Sequence, residues 1–118
     1  MGVYYHSKNK KVKDLLPNYS GADFYGLLYR FAVEGRTDDG FYDPMPRLPY
    51  SATAAEAKAM AEKIHGAIKT DGAAMKKYLE SYGALRHLPT DDEKNDLIAS
   101  LTHGLVKFLR ECGGYEAD

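Results

Sequence analysis

The chain reads as an α+β protein, predominantly α: a compact single domain of four main helices with one or two short strands at its N-terminus or at an edge. Three observations predict this. Apolar residues recur at helical spacing in four stretches, each bounded by capping or glycine signals, and a short run of strand formers opens the sequence. The 118 residues, with a formal charge of −1, have room for one core. Twelve Leu, four Val, four Phe and three Ile are few for that core, and ten tyrosines make up the shortfall.

Residues 1–19 read as a strand followed by a basic linker. Gly2-Val3-Tyr4-Tyr5-His6 is short and rich in strand formers, so Tyr4 and Tyr5 point to opposite faces and one of them belongs to the core. Lys8, Lys10, Lys11 and Lys13 follow; Val12, Leu15 and Leu16 read as a turn of helix that Pro17 ends. The first long helix starts at Ser20, with Asp23 in its first turn and Tyr19 and Phe24 as a hydrophobic staple. Phe24, Leu27, Leu28 and Phe31 form its apolar stripe, Tyr25 and Tyr29 border it, and Gly35 stops it.

Residues 35–50, with Gly35, Gly40, Pro44, Pro46 and Pro49, form a long loop that a helix would not tolerate. Within it Asp39-Gly40 suits a tight turn, and Leu48-Pro49-Tyr50 suits an edge strand beside the first strand. Residues 51–112 read as a three-helix region. The Thr53-x-x-Glu56 capping box opens a helix that runs to Ile68, Thr70-Asp71-Gly72 makes a turn, and Met75, Tyr78, Leu79 and Tyr82 share the face of a further helix ended by Gly83. Leu85 and Leu88 fold back over the core. Thr90 and Glu93 then open the last helix, whose stripe runs from Leu97 to Cys112 before Gly113-Gly114 ends it and residues 113–118 form a tail.

Several function classes are excluded at this level. No apolar run is long enough for a membrane span, and Met1–Ser7 has no signal-peptide core, so a cytoplasmic location is expected. Cys112 is the single cysteine, which rules out an internal disulfide and a cysteine-based zinc cluster. Charge is nearly balanced, unlike the broad basic footprint of most nucleic-acid binders. No Walker A spacing is present, and the acidic loop at Asp38, Asp39 and Asp43 lacks the EF-hand register because its first ligand would fall on Gly35.

Candidate chemical residues also have plain structural roles. Glu62-Lys63-Ile64-His65 is one half of a di-iron E-x-x-H motif without its second copy, and reads as a solvated helix face. His103 lies opposite the apolar stripe of its helix, His87 sits in a loop, and His6 flanks the strand. Cys112 continues an apolar stripe beside Glu111, an unfavourable setting for a thiolate nucleophile. Asp91, Asp92 and Glu93 are accounted for by helix capping. No catalytic set, metal site or cofactor is therefore expected, and the chain is read as a non-enzyme.

What remains is the long loop. Phe41, Tyr42, Met45, Arg47 and Tyr50 are residue types enriched at interface hot spots. The reading is a small protein-binding module whose partner is another protein, suited to an accessory or inhibitory role such as phage or mobile-element anti-defence. A lid over the tyrosine-rich core is the structural alternative for the same residues. The alternative function is a dimeric helix-turn-helix regulator that presents Lys69, Lys76 and Lys77 to DNA from the turn at 70–72. The four lysines at 8–13 read as a solvated linker ahead of a phosphate-contacting arm.

Overall fold

A computed structural model describes residues 4–16, 24–35, 48–81 and 88–117. Its elements, in chain order, are β1 (Tyr5–Ser7), α1 (Phe24–Ala32), β2 (Ser51–Thr53), α2 (Ala54–Ser81), α3 (Asp91–Glu111) and β3 (Gly114–Ala117). The mainly helical α+β architecture is as expected, with a radius of gyration of 13.5 Å.

The helix count differs from the sequence reading: the described residues hold three helices. The segments expected at 53–68 and 72–82 are one helix, α2, with non-helical backbone at Asp71 alone (φ −130°, ψ 31°). Both halves bury a face in the core: Ala57, Met60, Ala61 and Ile64 before the kink, and Met75, Tyr78 and Leu79 after it. Thr70 Oγ1 donates to the Gly66 carbonyl at 3.0 Å and to Asp71 Oδ2 at 3.2 Å, a back-bond of the type that bends a helix without ending it.

Capping follows the sequence closely. Glu56 N donates to Thr53 Oγ1 at 3.1 Å, while Thr53 N donates to Glu56 Oε1 at 2.9 Å, closing both arms of the box. Thr90 Oγ1 accepts from Glu93 N at 3.2 Å at the start of α3. Gly35, after α1, has φ +70°. The expected cap of α1 at Ser20, the staple at Tyr19, and the residues Tyr82, Gly83 and Leu85 lie outside the described residues.

The sheet departs further from expectation. Residues 113–118 are not a tail: Gly114–Ala117 is the central strand of a three-stranded antiparallel sheet ordered β1-β3-β2. The edge strand is Ser51–Thr53, not Leu48–Tyr50, and it pairs with β3 instead of with the first strand. The reversal after α3 rests on two left-handed glycines, Gly113 (φ +66°) and Gly114 (φ +99°). A Cβ on Gly114 would lie 2.9 Å from the Ala52 carbonyl oxygen, so this close approach requires glycine. The turn of helix expected at Val12–Leu16 is also absent. Leu15 instead exchanges two backbone hydrogen bonds with Tyr5, each 3.0 Å, so residues 14–16 run extended beside β1.

α2 packs on both other helices, and the inner face of the sheet closes the core over α2. Tyr5 and Tyr115 enter from the sheet with rings edge to face at 5.6 Å, and Phe108 lies 6.1 Å from Tyr115. Phe24, Leu27, Leu28, Ile64, Met75, Leu79, Leu105, Leu109 and Cys112 are fully buried with the two tyrosines. Three ion pairs cross from α2 to α3: Arg110 Nε to Glu62 Oε1 at 2.8 Å, Lys76 to Asp91 at 3.3 Å, and Lys94 to Glu80 at 3.5 Å.

Candidate functional site

Among the described residues, no helix packs on the outer face of the sheet. Along β1, Tyr5 faces the core while Tyr4 and His6 are exposed, their rings stacked at 6.4 Å. Glu116 of β3 and Ser51 and Thr53 of β2 are exposed with them. A sheet that packs one side and wets the other shows this alternation.

At one end of the sheet, three large apolar residues are exposed together in the register. The Tyr5–Leu15 bridge sets Leu16 opposite Tyr4, and the Tyr5–Ala117 pairing continues to Tyr50, whose carbonyl accepts from Ala117 N at 2.6 Å. Tyr4, Leu16 and Tyr50 are 46%, 59% and 62% exposed. No other large apolar residue among those described is exposed. Tyr115 fixes this end from inside: its buried hydroxyl donates to the Pro49 carbonyl at 2.8 Å, holding the residue before Tyr50 against the core. Burial pushes the Tyr115 hydroxyl well above its ordinary value.

Of the contact residues expected in the long loop, Tyr50 belongs to this end of the sheet. Phe41, Tyr42, Met45 and Arg47 lie outside the described residues. Tyr4 and Leu16 have no part in the sequence-level site. The sequence placed one of Tyr4 and Tyr5 in the core without saying which, and it is Tyr4 that faces outward. The exposure of Leu16 follows from the bridge at Leu15, which no local pattern signals.

Beside this patch, Asp14 ties the strand to its flanking segment. Its carboxylate accepts from His6 Nδ1 at 2.8 Å and from Ser7 N at 2.9 Å. Ser7 Oγ does not join this pair; it lies 2.9 Å from the Asn9 carbonyl and 3.1 Å from that of Cys112. The geometry is a strand clamp.

The lysine-rich segment has a structural role of its own. Asn9 N donates to the Cys112 carbonyl at 2.8 Å and Asn9 Nδ2 to the Glu111 carbonyl at 3.0 Å, so residues 8–13 wrap the C-terminus of α3. Lys8, Lys10, Lys11 and Lys13 are all exposed there, where cations suit the negative end of the helix dipole.

The remaining candidates separate. Glu62 is held by Arg110, whose guanidinium keeps its carboxyl below the ordinary range, and His65 is half-buried. Cys112 is fully buried, burial raises its thiol, and Sγ lies 3.7 Å from the Leu109 carbonyl. His103 is exposed, and His87 lies outside the described residues. Among the described residues, no three His, Cys, Asp or Glu side chains gather as metal ligands, and no helix is long and apolar enough to cross a membrane. Lys69 and Lys77 are exposed on α2, whereas the Lys76 side chain is 21% exposed and held by Asp91. The helix-turn-helix geometry on which their DNA role depended is replaced by the single kinked α2. Compared with protein-family models, curated protein sequences and solved structures, the chain has no match.

Proposed function

We propose that this chain is a small, non-enzymatic protein-binding module of the cytoplasm, an accessory or inhibitory protein of the kind a phage or mobile element turns against a host defence. Its contact residues are Tyr4, Leu16 and Tyr50 at one end of the sheet, together with Phe41, Tyr42, Met45 and Arg47, which precede Tyr50 in the sequence. One observation carries the reading: among the described residues, the exposed large apolar side chains all lie at that end of the sheet. Tyrosine is a frequent anchor in such surfaces because it buries a large ring at small entropic cost while its hydroxyl finds a polar partner.

Affinity purification tests it, with the wild-type chain compared against a Tyr4→Ser, Leu16→Ser, Tyr50→Ser variant of unchanged circular dichroism. A protein retained by wild type and lost by the variant is expected; equal retention by both would place the contact elsewhere. The DNA-regulator alternative has less behind it, since residues 70–72 make a kink in α2 with no connecting loop and Lys76 is engaged by Asp91. DNA affinity that falls steeply with salt and weakens in Lys69→Ala, Lys77→Ala would restore it.

A further inference from the structure

A second surface lies where residues 11–15 cross α3, at the other end of the β1–Leu15 pairing from Tyr4 and Leu16. It is an open groove of about 340 Å³. Val12, Leu15 and Phe108 line it with apolar atoms, and Lys11, Lys13 and Lys107 are exposed along it. Three ammonium groups are set against the one carboxylate of Glu111, in a chain whose overall charge is −1.

Gly104 supplies an independent observation. It lines this groove from within the 21-residue α3, where glycine is a poorer helix former than alanine. Neither usual reason for a glycine applies: its φ is not positive, and a Cβ built there would meet nothing within 4 Å. The missing side chain leaves the helix backbone open beside Phe108, so a bound segment can approach it there.

We propose that this groove docks an acidic segment of a partner protein, with an apolar side chain lying against the half-buried Val12 and flanking carboxylates meeting Lys11, Lys13 and Lys107. Single-stranded nucleic acid fits less well. Phe108 is 4% exposed and cannot offer a ring face for a base to stack on, and Glu111 would oppose phosphates. The apolar groove between α2 and α3 at Ile68 and Ile98 has no comparable charge, because Lys76 is already paired with Asp91. The proposal stands apart from the sheet-end reading, and either can fail without the other.

A displayed random-peptide library selected on the full wild-type chain tests it. The expected peptides carry Asp or Glu on both sides of a Leu, Ile or Phe. Their affinity is expected to fall about tenfold or more in a Lys11→Glu, Lys13→Glu, Lys107→Glu variant, and to weaken as salt is raised. Gly104→Ala guards against loss of folding, since alanine raises the melting temperature of the helix while its methyl group intrudes on the bound segment and weakens peptide binding. The proposal is overturned by peptides with no acidic bias, by affinity unchanged in the lysine and Gly104→Ala variants, or by no enrichment at all. Peptides lost on Tyr4→Ser, Tyr50→Ser and kept by the lysine variant would also overturn it, moving the docking to the sheet end. Fluorescein-labelled oligothymidylate bound by wild type and released by the lysine variant, without peptide enrichment, would overturn it in favour of nucleic acid.

Discussion

The hydroxyl of Tyr115 donates to the Pro49 carbonyl from inside the core, so a single side chain joins the central strand to the segment entering β2. Tyr115→Phe keeps the ring contacts with Tyr5 and Phe108 but leaves that carbonyl short of a partner. A loss of about 1 kcal/mol is expected in urea unfolding at neutral pH, with the denaturant slope unchanged. The same residue sets an alkaline limit. The unfolded tyrosine ionises near its ordinary value of 10.0, whereas the folded one is held neutral by burial. The folded state therefore keeps a proton that the unfolded state loses, and stability is full below about pH 10 and falls above it. Unfolding curves taken on both sides of that pH should show a smaller alkaline loss in Tyr115→Phe than in wild type. Gly114→Ala acts on the neighbouring position with two penalties, a left-handed backbone and a Cβ 2.9 Å from the Ala52 carbonyl oxygen. A cost of about 1–3 kcal/mol is expected by the same measurement.

At the scale of elements, the helices were legible because their signals are local. Thr53 and Glu56 close their box as the spacing implies, so Thr53→Ala should lower stability by about 1 kcal/mol. Gly66→Ala should do the opposite, because Gly66 lies inside α2 with nothing within 4 Å of a built Cβ. A gain of up to about 1 kcal/mol, read as a rise in melting temperature, is expected. The turn expected at Thr70-Asp71-Gly72 is present only as a kink, with non-helical backbone at Asp71 and no connecting loop, which is a distinction those residue types do not signal. The strands were less legible still. Gly114–Ala117 has four residues and no long alternation, and its place at the centre of the sheet depends on β1 and β2, both distant in sequence. Tyr115 thus joins the core through a pairing that no local window contains. Of the candidate surface, Tyr50 could be read from the chain, because no helix accounts for it. Leu16 could not, because its exposure depends on the Leu15 bridge.

Across the whole molecule, the exposed chemistry divides between the two ends of the β1–Leu15 pairing. One end carries Tyr4 and Leu16 on the open side of a sheet whose other face closes the core, with Tyr50 exposed at the same end in the row of Ala117 and Tyr5. The other carries the lysine-rich segment, which wraps the C-terminus of α3 and borders the groove beside Phe108. The tyrosine excess divides accordingly: Tyr5, Tyr25, Tyr78 and Tyr115 replace missing aliphatics in the core, while Tyr4 and Tyr50 remain at the surface. Site-specific photo-crosslinking tests the proposed contact at the sheet end most directly, with benzoylphenylalanine placed at Tyr4, at Tyr50 and, as a control, at the exposed Ser100 of α3. In extract, a discrete protein adduct from Tyr4 and Tyr50 and none from Ser100 is the expected result; no adduct at either tyrosine, or the same adduct from Ser100, would contradict the claim that this sheet end is the binding surface.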